Sequence, residues 1–131
     1  MRSASILVVD DDPDILNALS EVMTEEGFVV RIARDGQEAL NLVETAPPGL
    51  ILLDLRMPVM DGREFGTRIR SCPDWANIPI IILSADQNAG STARDLDAVG
   101  YLGKPFELNA LLGLVHSVLP PSRLRERREA P

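Results

Sequence analysis

Three short, unbroken aliphatic runs dominate the hydrophobic pattern: Ile6-Leu7-Val8-Val9, Leu50-Ile51-Leu52-Leu53 and Ile80-Ile81-Ile82-Leu83. Runs of this length without alternation predict strands covered on both faces, as in the interior of a parallel sheet. Each stops at a polar residue: Asp10-Asp11-Asp12 after the first, Asp54 after the second, Ser84 after the third. Between them the spacing becomes helical. Asp12 and Pro13 form a cap and first-turn pair for a helix with Ile15, Leu16, Leu19, Val22 and Met23 on one face, and Gly27 stops it. Asp35-Gly36 opens a second helix through Ala39, Leu40 and Val43 as far as Pro47. Asp61-Gly62 opens a third through Phe65 and Ile69, ending near Cys72-Pro73, with Trp75 in the loop beyond.

Phe28 to Ala33 and Gly100 to Gly103 predict the remaining strands. Residues 86 to 97 predict the weakest helix, because Asn88, Gly90, Ser91 and Thr92 all lower helix propensity. A last helix from Glu107 to Leu119 is expected to bury Leu108, Leu111, Leu112, Val115 and Leu119. Leu114 and Val118 widen its stripe enough to leave apolar surface exposed. Strand followed by helix, five times over, implies parallel strands, right-handed crossovers and helices on both faces of one sheet.

A chain of 131 residues is long enough for one domain with a real core. Its formal charge of -7 disfavours non-specific binding to nucleic acid or an anionic membrane. No apolar run approaches the ~20 residues that span a bilayer, and the single cysteine, Cys72, has no internal partner. Direct nucleic-acid and membrane functions are therefore not expected, and the cytoplasm is the expected location. Residues 1–119 are read as the domain. The arginine- and glutamate-rich stretch 120–131, opened by Pro120-Pro121, is read as a solvated tail or linker.

Parallel strands deliver Asp10, Asp11, Asp54 and Ser84 to one edge of the sheet, and Lys104 follows the last strand. Carboxylates held together repel, and one of them relieves the repulsion by a raised pKa unless a cation is supplied. Oxygen ligands without His or Cys suit Mg2+, which keeps several waters and bridges to phosphate. A carboxylate is also a nucleophile toward phosphorus, forming an acyl phosphate. Asp54 is the candidate, with metal held by Asp10 and Asp11, an ammonium from Lys104 and a hydroxyl from Ser84 to stabilise phosphoryl oxygens. His116, the sole histidine, is expected at the surface.

Motifs in order, Val8-Val9-Asp10-Asp11-Asp12, Leu53-Asp54 with Met57-Pro58 and Asp61-Gly62, Ser84-Ala85, and Tyr101-Leu102-Gly103-Lys104-Pro105-Phe106, together resemble the receiver domain of two-component response regulators over about residues 4 to 119. The resemblance implies a flavodoxin-like (βα)5 three-layer sandwich with a five-stranded parallel sheet of order 2-1-3-4-5. It implies Asp54 as phosphoacceptor from a histidine kinase or phosphotransfer protein. Asp10, Asp11, Asp54 and the Arg56 backbone carbonyl would hold Mg2+, Ser84 and Tyr101 would form a switch pair, and Lys104 would pair with the phosphate. The Lys104-Pro105 bond is expected to be cis. The output would be a downstream target protein or output domain, and a homodimer would form through the face made by the fourth helix, fifth strand and fifth helix. The chain is expected to act alone or as the receiver of a longer protein.

Two departures from the family pattern carry expectations. Asp97 stands where many receivers have glycine, and the helix over 86 to 97 is expected to be short or mobile before phosphorylation. Arg56 and Asp86, each two residues beyond a site residue, are expected to form a lid that slows dephosphorylation. An alternative reading is a magnesium-dependent phosphatase with an aspartyl-phosphate intermediate. That chemistry ordinarily uses a second aspartate where this chain has Arg56. A further alternative is a receiver that binds partners without phosphorylation.

Overall fold

The computed structural model describes residues 5–119, and the tail expected over 120–131 lies outside them. Five strands, β1 (Ser5–Val9), β2 (Val29–Ala33), β3 (Leu50–Leu53), β4 (Ile80–Ser84) and β5 (Gly100–Gly103), pair in parallel in the order β2-β1-β3-β4-β5. The helices are α1 (Pro13–Glu25), α2 (Gly36–Thr45), α3 (Gly62–Ser71), α4 (Ala89–Asp95) and α5 (Leu108–Val118). This is the expected flavodoxin-like order.

Alternation within the aliphatic runs supplies the two sides of the sandwich. Leu7, Val9, Ile51, Leu53, Ile80 and Ile82 turn to one face, where they pack with Ala39 and Val43 of α2, Phe65 and Ile69 of α3, and Ala93 beside α4's end residue Leu96. Ile6, Val8, Leu50, Leu52, Ile81 and Leu83 turn to the other, against Leu16, Leu19 and Met23 of α1 and Leu111 and Val115 of α5. Each such aliphatic side chain, removed from water, contributes ~1.5–3 kcal/mol. Three adjacent strands with both faces covered explain why their sequences do not alternate with polar residues.

The helix starts are built as their sequences imply. The Asp12 side chain accepts from Asp14 N–H, Asp35 from Glu38 N–H and Asp61 from Glu64 N–H, each satisfying a donor that the first helical turn leaves open. At Gly27 the chain turns through φ 94° to end α1. Gly62 has a different purpose, since a Cβ there would lie 2.1 Å from the Asp54 carbonyl oxygen. The start of α3 therefore presses directly on the end of β3. The Lys104-Pro105 peptide is cis, as expected.

Three expectations need correction. Leu108, assigned to the buried stripe of α5, is 42% exposed. It stands in the first turn, and Phe106, just before the helix, packs against the core layer instead. Leu114 and Val118 are half-buried against that layer, Leu114 resting over Gly100, so the apolar surplus assigned to them is largely covered. His116 is half-buried, its Nε2 2.7 Å from Glu26 Oε1. α4 is the shortest helix, at seven residues, and Asp97 beyond it adopts φ 51°, a left-handed conformation that explains the preference for glycine there.

Candidate functional site

β1 and β3 are neighbours in register, Val9 beside Leu53, so the residues that follow them emerge side by side at the carboxyl edge. Asp54 N–H donates to Val9 O at 2.9 Å and Asp10 N–H to Ala33 O at 3.1 Å, which holds both backbones in place. Asp10 and Asp54 are buried and Asp11 is exposed. Asp10, Asp11 and Asp54 can each offer a carboxylate oxygen, and these oxygens all lie within 4.8 Å of one another. Three convergent carboxylates open to solvent on one side fit a hard divalent cation that retains water, such as Mg2+.

Lys104 reaches the same group from the end of β5. Its Nζ lies 2.6 Å from Asp10 Oδ2 and 3.6 Å from Asp54 Oδ1, so in this state the ammonium is bonded to Asp10 and adjacent to Asp54. Asp10 Oδ1 accepts from Asp12 N–H at 2.9 Å. Burial pushes the Asp54 carboxyl from 3.8 up to about 6, and the Asp10 charge adds to this. Lys104 and the Arg56 backbone N–H oppose the rise, and Asp11 adds a smaller push. One acid of the cluster is thus raised as like-charge repulsion predicts, with desolvation as the larger cause.

Ser84 ends β4, next to β3 in the sheet, and is 1% exposed. Its Oγ accepts from Asp86 N–H at 3.1 Å. Asp86 is tied down from two further directions: Oδ1 accepts from Asn88 N–H at 2.8 Å, and Oδ2 lies 3.3 Å from Arg56 Nε. The Asn88 N–H, and then Arg56, hold the Asp86 carboxyl below its ordinary range. Tyr101 lines the same surface hollow as Ser84, Asp86 and Asn88. The residue is 51% exposed and its ring stands over α4, where a Cβ on Gly90 would come within 3.1 Å of the hydroxyl.

Asp10, Asp11, Asp54 and Lys104 therefore converge, and Arg56 touches Asp54 through its backbone N–H while its side chain goes to Asp86. Sequence reasoning missed the bond from Lys104 to Asp10. It also overlooked Arg63 and Arg70, whose partners are distant in sequence; their spacing around Gly66 on one helical face was the available signal.

A doubly wound parallel sheet with an acidic, lysine-bearing carboxyl edge defines a flavodoxin-like α/β domain whose site lies where such sheets bind ligands. Residues 6–116 match the response regulator receiver domain family. Response regulator MprA of Mycobacterium ulcerans (strain Agy99) is 35% identical over 130 residues, covering 98% of this chain and 55% of that protein. MprA of Mycolicibacterium vanbaalenii is 38% identical over 116 residues, covering 87% and 49%. The chain spans about half the length of these curated relatives.

Among solved structures, chemotaxis protein CheY4 of Vibrio cholerae superposes with a TM-score of 0.81 at 33% identity, covering 89% of this chain and 99% of that one. The signal receiver domain of a histidine kinase from Syntrophus aciditrophicus gives 0.80 at 29% identity, covering 88% and 89%. The chain belongs to the response regulator receiver domain family, a signalling domain of two-component systems. No helix among the described residues is long and apolar enough to cross a membrane.

Proposed function

We propose that this receiver accepts a phosphoryl group on Asp54 from the phosphohistidine of a histidine kinase or phosphotransfer protein, with Mg2+ bound beside it. An Asp54 carboxylate oxygen attacks phosphorus, the bond from phosphorus to the imidazole nitrogen breaks, and the imidazole takes up a proton as it leaves. The product is an acyl phosphate. The observation that carries this reading is the placement of the Asp54 carboxylate between two acids and the Lys104 ammonium, within reach of a shared cation.

Asp10, Asp11, Asp54 and the Arg56 backbone carbonyl would hold the ion, which supplies positive charge to the phosphoryl oxygens when bound. Lys104 neutralises charge that develops on the transferred group, and Ser84 Oγ turns from the Asp86 amide to donate to it. The Asp54 nucleophile is competent once ionised and needs no histidine base. Ser84 and Tyr101 then act as the switch pair: the hydroxyl moves toward the site, the ring moves inward, and the α4-β5-α5 face changes for its target protein, output domain or a second copy of the chain. Residues 1–119 are the receiver in this reading, and it works in the cytoplasm.

Arg56 and Asp86 form a lid over the acyl phosphate that slows its hydrolysis. The phosphatase alternative is disfavoured because the position of its second aspartate holds Arg56, whose side chain is paired with Asp86. Acetyl phosphate with Mg2+ should label the wild type on one site and leave Asp54→Ala unlabelled. Equal labelling of Asp54→Ala would refute the assignment.

A further inference from the structure

α4 is the least self-sufficient helix of the domain. It has seven residues, no side-chain bond at its N-cap Asn88, and Gly90, Ser91 and Thr92 in its body. It packs on β4 and β5, and side-chain bonds tie it as well to α3. Arg63, Gly66 and Arg70 succeed one another at helical spacing along one side of α3. Arg63 Nη1 donates to Thr92 Oγ1 at 2.9 Å, and Nη2 donates to Asp95 Oδ2 at 2.8 Å. At the far end, Arg70 Nε donates to Leu96 O at 2.6 Å and Nη2 to Asp97 O at 3.4 Å. Its Nη1 is anchored on Ala76 O and Ile78 O, at 3.0 and 2.7 Å. Between the two arginines the Leu96 side chain settles against Gly66, where a Cβ would lie 2.6 Å from Leu96 Cδ1.

α3 in turn is fixed to the end of β3. Gly62 N–H donates to Leu55 O at 2.9 Å, and Gly62 sits directly against the Asp54 carbonyl. Only residues 85–88 separate Ser84 from α4, and Ser84 Oγ now accepts from one of the loop's amides, that of Asp86. A phosphoryl group on Asp54 competes for that hydroxyl and so acts on the loop leading into α4, while α3 stays with Asp54. The two helices must then shear, and bonds that cross from one to the other oppose the movement.

We infer that Arg63 and Arg70 are positioning residues, a two-point clamp that holds α4 in its resting place on α3 and sets the threshold for phosphorylation to move it. The inference rests on the phosphoacceptor reading above. A clamp present only at rest lowers the population of the switched state, and so lowers the apparent affinity for any ligand that selects that state. Cutting it has the reverse effect. This distinguishes a clamp from residues that merely support the fold, whose removal weakens binding or leaves it unchanged.

The test is a titration of the full chain with beryllofluoride and Mg2+, a phosphoryl mimic, by calorimetry, with amide exchange of α4 measured alongside. Arg63→Ala is expected to tighten apparent binding about threefold, as losing an ion pair of this kind from one state alone would do, and to speed exchange over 89–95. Asp95→Asn, an exposed change that leaves the arginine in place, is expected to act in the same direction, and the double variant to add little. Arg68→Ala, which removes only a pair with Glu64 within α3, should leave binding as in the wild type. Unchanged or weaker binding in both Arg63→Ala and Asp95→Asn, with normal wild-type binding, would overturn the clamp and leave the phosphoacceptor reading standing. Failure of the wild type to bind the mimic at all would overturn both.

Discussion

Arg56 Nε and Asp86 Oδ2 stand 3.3 Å apart, joining the loop after β3 to the loop after β4 beside the cluster that contains Asp54. The arginine side chain is 76% exposed, so the pair contributes little to folding. Its consequence is expected in kinetics, where covering an acyl phosphate slows attack by water. Arg56→Ala should speed loss of phosphate from the labelled protein about twofold to fivefold, because water then reaches the acyl phosphate more readily. Stability should change by less than ~0.5 kcal/mol. Following decay after removal of acetyl phosphate checks this; an unaltered rate would show that no lid exists.

The raised pKa of Asp54, about 6 against 3.8 for the free group, makes the site a pH-dependent load on stability. The native state holds this proton more tightly than the unfolded chain, so stability falls as pH rises through this range. The penalty is absent below about pH 4, where both states are protonated, and complete above about pH 6. Asp54→Asn, which mimics the protonated acid, should therefore be more stable than wild type at about pH 7.5, by on the order of 1 to 2 kcal/mol. The difference should vanish near pH 4. Mg2+ should narrow it at the higher pH, because the ion binds the ionised carboxylate, and its affinity should decline as pH drops below 6. Thermal melts of both proteins across this range, with and without Mg2+, test all three statements.

What was legible beforehand follows from which interactions are local. Leu50 to Leu53 and Ile80 to Leu83 announce strands because burial on both faces demands unbroken apolar residues, and Asp54 and Ser84 announce a site because polar groups at the ends of such strands need a use. The caps at Asp12, Asp35 and Asp61 were legible for the same reason, each bonding to an amide two or three residues away. Periodicity did not show that Phe106 would take the place expected for Leu108, since it gives a helical face but not where the helix overruns its layer. Nor could it direct Lys104 to Asp10 or send Arg63 to α4 and Arg70 to the residues just after it. A long cation finds its partner only after elements far apart in sequence have packed.

Close approach of α3 to the end of β3 makes Gly62 the most constrained glycine near the site. A methyl group there would meet backbone atoms, the Asp54 carbonyl oxygen at 2.1 Å and Leu55 Cα at 2.8 Å, none of which can rotate away. Gly62→Ala should destabilise the domain by about 3 kcal/mol or more, through overpacking. The variant that does fold should label slowly with acetyl phosphate, because the displaced backbone carries the Asp54 carboxylate with it. Gly113→Ala is the matching control: a Cβ there meets nothing within 4 Å, and in the body of α5 alanine should stabilise by ~0.5–1 kcal/mol. Denaturant melts that ranked the two changes equally would contradict the packing.

Val59, in the loop between β3 and α3, has φ 66° and is 83% exposed. A branched Cβ in the left-handed region crowds the backbone, at a cost of ~1–2 kcal/mol, and burial of the side chain returns almost nothing here. A γ-turn centred on Val59 gives the loop this shape, Met60 N–H donating to Pro58 O at 2.7 Å, and its ends are fixed, Leu55 O by Gly62 N–H and Met60 O by Gly36 N–H, each at 2.9 Å. Asparagine tolerates the left-handed region without the extra unfolded-state freedom of glycine. Val59→Asn should accordingly raise stability by about 1 kcal/mol, which for a domain of this size shifts the melting temperature upward by ~3–5 °C. Labelling of Asp54 should proceed at the wild-type rate, since the substitution keeps the loop path that aims the carboxylate. A lower melting temperature would mean that Val59 contributes packing its exposure does not suggest.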